Sequence, residues 1–260
     1  MSDPGDMASP SAEFVQSFAR GLSVIRSFSA SARSQTLAEV ARATGLPRAT
    51  TRRLLHTLQQ LGYVRALDGR FELTPKVLDI GYSYLSSLGM ASIAVPYLEE
   101  LRARLNESSS IAVLDDTDVL YVARVPGERI MTVSIGVGSR FPAFQTSLGR
   151  VLLAELDDAD IIDRFERSDR SRTTPHTVAT AADLLEAVAA VRAQGWALLD
   201  QELEVGVRSV AAPLRQRDLV VAAVNVSTSA GRTPLDELSA TVLPALLETA
   251  DAISTALGMQ

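Results

Sequence analysis

The stretch TLAEVARATGLPRATTRRLLHTLQQLGYVRALDGRFELT, residues 36–74, carries two helix signals, a tight turn and a hairpin signal in direct succession. Thr36 and Glu39 have the spacing of a capping box, in which the hydroxyl accepts from the third helical amide and the carboxylate reaches back to the cap amide. The short helix this predicts presents Leu37, Val40 and Ala41 on one face, and Gly45 supplies the left-handed residue that ends it. Pro47 stands where a second helix can start, since its missing amide hydrogen is not needed there.

Along residues 47–61 each position advances about 100°. Leu54, Leu55, Leu58 and Leu61 then fall in one arc, the predicted buried stripe, and Arg48, Ala49, Arg52, Arg53, His56, Gln59 and Gln60 occupy the other side. A short capped helix, a glycine turn and a longer helix with arginines in its first half form a helix-turn-helix pattern. YVRAL and RFELT then flank Asp68-Gly69, a pair that favours a type I′ hairpin turn. The hairpin reads as a wing whose Arg65 and Arg70 reach phosphate, a contact that positions without specifying sequence.

Charge is distributed to match. The formal net charge is -6, yet residues 1–90 hold 10 Lys+Arg against 7 Asp+Glu and the remainder holds 15 against 24. Such asymmetry points to a segment that meets a polyanion, joined to one that does not. With no cysteine, disulfides, thiol nucleophiles and thiolate metal sites are excluded, and His56 and His176 are too few for an all-protein zinc site. No G-x-S-x-G elbow and no glycine-rich phosphate loop is present, so neither a serine hydrolase nor a nucleotide cofactor is expected. The polar, acidic first 12 residues read as a disordered arm, no apolar run approaches the ~20 residues of a membrane span, and the expected location is the cytoplasm.

Outside this core stretch, apolar Phe14, Val15, Phe18, Leu22, Ile25 and Phe28 recur at helical spacing, either as core or as a dimer seam. Leu78, Tyr82, Leu85 and Leu88 mark a linking helix. Beyond Gly89, residues 96–105, 147–156, 181–194 and 235–257 read as helices, with Thr180 and Asp183 capping the third and Gly195 ending it. Residues 111–115, 119–125, 129–135, 196–200, 207–212 and 219–227 read as strands. Their irregular interleaving indicates an α+β fold. The domain plan is an arm at 1–12, a winged helix-turn-helix at 13–75, a linker helix at 76–89 and a second domain at 90–260. In TSLG, residues 146–149, hydroxyls at a helix start from Thr146 onward offer an anion site, although most such residues serve only as caps.

The run LAEVARATGLPRATTRRLLHTLQQLGYV with GRFELTPKVLDIG closely resembles the winged helix-turn-helix of the IclR family of bacterial transcription regulators. FVQSFARGLSVIRSF and YVARVPGERIMTVSIGVGSRFPAFQTSLGRVLLAEL resemble the branch of that family that controls aromatic-acid catabolism, the PcaR, PcaU and PobR group. GWALLDQELEVGVRSVAAPLRQRDLVVAAVNVS resembles the family's effector-domain signature. The resemblance implies a GAF-like effector-binding and oligomerisation domain with an antiparallel sheet flanked by helices. It also implies dimers, or dimers of dimers, on palindromic promoter DNA, and a small carboxylated metabolite as the signal.

In that picture Arg48, Ala49, Thr50, Arg52 and Arg53 lie at the major groove. Arg48, Ala49 and Arg52 are the candidates for reading bases, Arg53 is the candidate for the backbone, and His56 is either a phosphate contact or a solvated imidazole. Ser147 and Leu148 match positions that contact an effector carboxylate, Ser209, Asn225 and Ser227 match polar pocket positions, and Ile130 and Val133 match the apolar wall. Leu199, with Asp200 as its neighbour, stands where members that bind small 2-oxo acids carry a pocket acid. That departure favours an aromatic or dicarboxylic acid of the protocatechuate or 3-oxoadipate type, with Asp200 retained as a pocket candidate. Arg124 and Arg140 are either counter-ions to the ligand or partners in structural ion pairs. A stand-alone metabolite sensor or an enzyme with an incidental basic helix is the competing reading.

Overall fold

The computed structural model describes residues 13–29, 31–81, 89–127 and 135–259. Its contacts divide the chain into two compact units, residues 1–87 and 88–260.

In the first unit, α1 (Gln16–Arg26), α2 (Leu37–Thr44) and α3 (Arg48–Gln60) pack around Val24, Val40, Leu55, Leu58 and Val64. The capping box forms as read: Thr36 N–H donates to Glu39 Oε2 at 2.6 Å, and Glu39 N–H to Thr36 Oγ1 at 3.3 Å. Gly45 closes α2 at φ 66°. Pro47 is the N-cap of α3 and not its first residue. Strands β2 (Val64–Leu67) and β3 (Arg70–Leu73) form the wing, and Asp68 and Gly69, at φ 49° and 76°, supply the two positive angles of a type I′ turn. A third strand, β1 (Ser34–Thr36), unforeseen because it is only three residues long, pairs with β3 to give the order β1-β3-β2.

The buried stripe of α3 differs from the expected one. Leu55 and Leu58 are buried, Leu54 is half-buried, and Leu61 is 52% exposed. Thr51 is buried in their stead. Its hydroxyl donates to Pro47 O at 3.1 Å, so this polar side chain enters the core without an orphaned group.

The second unit is one six-stranded antiparallel sheet between two helical layers. Its strands are β4 (Ser108–Asp115), β5 (Asp118–Val125), β6 (Arg140–Pro142), β7 (Ala197–Asp200), β8 (Val207–Gln216) and β9 (Leu219–Ser229), in the order β6-β5-β4-β9-β8-β7. On one face pack α4 (Met90–Leu105) and α8 (Leu243–Gly258), which bury Leu98, Leu101, Leu246 and Ile253 against Ile111, Val210 and Val224. Each such side chain contributes about 1.5–3 kcal/mol of apolar transfer free energy. The other face carries α5 (Ser147–Leu153), α6 (Asp158–Arg167) and α7 (Ala181–Gln194) over Ala112, Tyr121, Leu199, Ala211 and Ala223. Among the described residues no helix is long and apolar enough to cross a membrane.

Several boundaries move. Helix α4 begins six residues before Pro96, which it accommodates internally while Ala94, Leu98 and Leu101 remain buried. Helix α5 ends at Leu153, and α6 was not foreseen. The closing helix contains a π turn, Leu238–Val242, just before Pro244, the residue that lacks an amide donor. Of the linking helix, a 3₁₀ turn, Pro75–Val77, and helical residues 78–81 are described, whereas Tyr82, Leu85 and Leu88 lie outside the described residues. Most of the strand expected at 129–135 also falls outside them.

Candidate functional site

Two places in the chain concentrate unpaired polar groups. The first is the outer side of α3. Arg48, Ala49, Arg52, Arg53 and His56 are exposed and Thr50 is half-buried. Among the described residues no carboxylate lies within ion-pair distance of Arg48, Arg52 or Arg53. Three adjacent guanidinium groups are therefore held open by a helix whose other side is fixed by Thr51, Leu55 and Leu58.

The wing arginines differ in this respect. Arg65 donates to Glu72 Oε2 from Nε at 3.0 Å and from Nη2 at 2.7 Å. Arg70 donates from Nη2 to Ser34 O at 2.6 Å and to Glu39 Oε2 at 3.1 Å. Hydrogen bonding from Arg65 holds Glu72 below the usual carboxylate value, and hydrogen bonds from Thr36, with a smaller contribution from Arg70, do the same for Glu39. A phosphate reaching the wing must displace these partners, whereas the α3 arginines are ready to engage one. Solvent-exposed pairs of this kind are weak, so displacement is feasible.

The second place is a narrow, largely enclosed cleft in the second unit. Of the residues singled out from the sequence, Thr146, Ser147, Ser209, Asn225 and Ser227 come together on its wall. Strand pairing explains the grouping, since Ser227 is opposite Ser209, and Asn225 is two residues along the same face of β9. Two polar atoms at this wall, Ser147 Oγ and Asn225 Oδ1, are buried without a hydrogen-bond partner. Leaving such an atom unsatisfied costs about 1–3 kcal/mol, a cost that an incoming polar ligand removes.

Two candidates are not on the wall. Leu148 is fully buried in the core beneath α5. Asp200 alternates to the opposite side of β7 from Leu199, which does line the cleft, and is bound by Arg208 at 2.6 and 3.1 Å. That contact holds its carboxyl below the usual range. Ile130 and Val133 lie outside the described residues. Arg140 is the structural-pair alternative, bonded to Asp115 with Asp118 at 3.8 Å. Arg124 is half-buried and bonds Ser110 and Ser108 at 3.2 and 3.3 Å, beside the cleft and not in its lining.

Tyr121, Ile135, Gln145, Glu202, Leu203 and Val207 also line the cleft and were not picked out from the sequence. Tyr121 was legible in part, since it alternates on β5 toward this face. Burial pushes its phenol up to about 12, so at neutral pH it is an O–H donor. Glu202 forms a buried pair with Arg150 at 2.7 Å, and its carbonyl accepts from Thr173, Thr174 and Thr177 at 3.0, 3.3 and 2.7 Å. Desolvation pushes the Arg150 guanidinium down while Glu202 opposes it. Gly149 is dictated by space: a Cβ there would collide with the Ala143 backbone, so only glycine lets the 3₁₀ turn Ala143–Gln145 fold this tightly onto α5.

A winged helix-turn-helix with an open arginine face, joined in one chain to a domain enclosing a polar-ended cleft, is the make-up of a ligand-binding, DNA-binding regulator. Comparison with known proteins specifies the family. Residues 17–68 match the IclR helix-turn-helix domain, and residues 82–255 match the bacterial transcriptional regulator IclR C-terminal domain. The chain belongs to the IclR family of transcriptional regulators and is not an enzyme. The Pca regulon regulatory protein of Pseudomonas putida is 44% identical over 238 residues, 90% of this chain and 81% of that protein. A crystal structure from Rhodococcus sp. RHA1 is 51% identical, covers 95% of this chain and 99% of its own, and superposes with a TM-score of 0.84. The inducer-binding domain of PobR from Acinetobacter, a double mutant in complex with 3-hydroxybenzoic acid, is 34% identical. It covers 63% of this chain and 97% of its own, with a TM-score of 0.58.

Proposed function

We propose that this regulator binds palindromic promoter DNA as a homodimer or dimer of dimers and senses a small carboxylated metabolite of aromatic-acid catabolism. The observation that carries the sensing half is the pair of buried, unpartnered polar atoms, Ser147 Oγ and Asn225 Oδ1, at the polar wall of a cleft whose remaining lining includes Ile135, Leu199, Leu203 and Val207. Ser147 and Tyr121 supply hydroxyl donors for a carboxylate, and Ile135, Leu199, Leu203 and Val207 cover a ring or short chain. A double mutant of the PobR inducer-binding domain is in complex with 3-hydroxybenzoic acid, which supports an aromatic acid as the ligand class.

The DNA half rests on Arg48, Ala49 and Arg52 as base-reading residues, with Thr50, Arg53 and His56 beside them and Arg65 and Arg70 as weaker wing contacts. Dimerisation is supported by α1, where Phe18 and Leu22 are 68 and 39% exposed and line an apolar groove with Leu54, Leu61 and Ile80, and by Phe14, 52% exposed just before that helix. A thermal-shift screen of aromatic acids and their ring-cleavage products tests the sensing role. A native-state ligand at about 100 times its Kd adds ~2.7 kcal/mol and raises the midpoint. No shift with any carboxylic acid in the screen refutes it.

A further inference from the structure

Gln145 occupies a position that the grouping of pocket residues does not explain. It is 2% exposed, and it lines both the enclosed cleft and an adjoining outer cleft walled by Phe141, Pro142, Ser171 and Thr173. Its backbone is fixed from both sides. Arg150 Nε donates to Phe144 O at 2.7 Å, Thr146 N–H donates to Ala143 O at 3.2 Å, and Gly149 admits the close approach of the turn.

The side-chain amide is oriented as well. Gln145 Nε2 donates to the backbone carbonyl of Ser171 at 2.8 Å. Because a carbonyl only accepts, this bond assigns the two ends of the amide: the NH2 faces Ser171, and Oε1 remains an acceptor to which no described residue donates. The same cleft presents hydroxyl donors at Ser147 and Tyr121. Its lining thus combines donors suited to a carboxylate with a fixed neutral acceptor that a second carboxylate cannot satisfy and a ligand hydroxyl can.

We infer that Gln145 reads a hydroxyl group on the effector and selects hydroxy-substituted aromatic acids over unsubstituted and dicarboxylic acids. This rests on the reading of the cleft as the effector pocket. A buried acceptor built to receive a hydroxyl rejects the analogue lacking it, because the acceptor is then left without water or partner. The effect is about tenfold or more in affinity.

Isothermal titration of the full chain with 3-hydroxybenzoate, 4-hydroxybenzoate, benzoate and adipate provides the test, repeated on Gln145→Leu and on the straighter-chained Gln145→Met. The better hydroxybenzoate is expected to bind the native protein about tenfold or more tighter than benzoate or adipate. In both variants that preference shrinks to within about threefold, while benzoate binding persists and reports an intact pocket. Equal affinity for hydroxybenzoate and benzoate, tighter binding of adipate, or a preference that survives in a variant still binding benzoate overturns the role of Gln145 and leaves the pocket assignment standing. Should none of the four acids bind the native chain, the assignment of this cleft to aromatic acids fails, and the role of Gln145 with it. A variant that keeps the native Tm and yet binds no acid also overturns the role, because the amide then serves ligand binding as a whole and not the reading of a hydroxyl.

Discussion

Replacing Arg53 by alanine flattens the salt dependence of DNA binding, and replacing Arg65 does so much less. The difference follows from partners. Arg53 has no carboxylate within ion-pair distance among the described residues, whereas Arg65 donates two hydrogen bonds to Glu72. Each phosphate neutralised contributes about 0.9 to the slope of log K against log salt, so a two-fold dimer losing the Arg53 contact in both copies loses about 1.8. At Arg65 a phosphate contact replaces an existing ion pair, and the slope changes by less than ~1. Arg52→Ala gives a third pattern: if this side chain reads a base, each half-site loses about 1–3 kcal/mol with little change in slope. Fluorescence anisotropy on a promoter duplex from about 50 to 200 mM salt separates the three. A slope unchanged by Arg53→Ala but flattened by ~1.8 by Arg65→Ala refutes the division of labour between helix and wing.

Three further outcomes are expected. Gly149→Ala forces a Cβ into Ala143 O, an overpacking of about 1–3 kcal/mol that lowers Tm by roughly 2 to 12 °C in differential scanning fluorimetry; an unchanged Tm would mean the turn yields freely. Glu202→Ala leaves the Arg150 guanidinium buried and unpaired, which costs about 3–5 kcal/mol in chemical denaturation, and a loss below ~1 kcal/mol would show the pair to be dispensable. Asp200→Asn removes a carboxylate whose folded-state value is depressed by Arg208. The stability it lends is present above the ordinary value of 3.8 and disappears as pH falls through the lower folded value. The Tm gap between native protein and Asp200→Asn should therefore close on acidification, and a gap that persists at the lowest pH contradicts the linkage.

The DNA-binding half was largely legible because its signals are local. A cap three residues from its partner, a left-handed glycine and an Asp-Gly turn each dictate geometry within a few positions, and Thr36, Gly45 and Gly69 behave as those rules require. Thr51 was missed because its burial depends on a hydroxyl-to-carbonyl bond that hydrophobic periodicity does not register. The pocket was less legible for the opposite reason. Tyr121, Gln145 and Glu202 converge from β5, a 3₁₀ turn and the loop after β7, and only the strand order β5-β4-β9-β8-β7 brings them together. Asp200 failed through alternation: in a strand the neighbour of a pocket residue faces away from it, so Leu199 lines the cleft and Asp200 meets Arg208.

Where the effector's binding energy goes follows from the cleft itself. The cleft is narrow, so a six-membered ring does not enter without displacing the walls. One wall is hard to move. The loop after β7 is tied down by three threonine hydroxyls on the Glu202 carbonyl and by the buried Arg150 pair. Satisfying Ser147 Oγ and Asn225 Oδ1 returns about 1–3 kcal/mol each, and covering the apolar wall adds more. Part of that gain is consumed in opening the cleft. Regulation requires that the opened and closed forms differ in their affinity for DNA, because a ligand shifts an equilibrium only by its differential affinity for the two states. By reciprocity, operator DNA must change effector affinity by the same factor that effector changes DNA affinity. A mutation that widens the cleft, such as loss of the Glu202 anchor, should therefore alter the DNA affinity of the ligand-free protein in the direction that effector does.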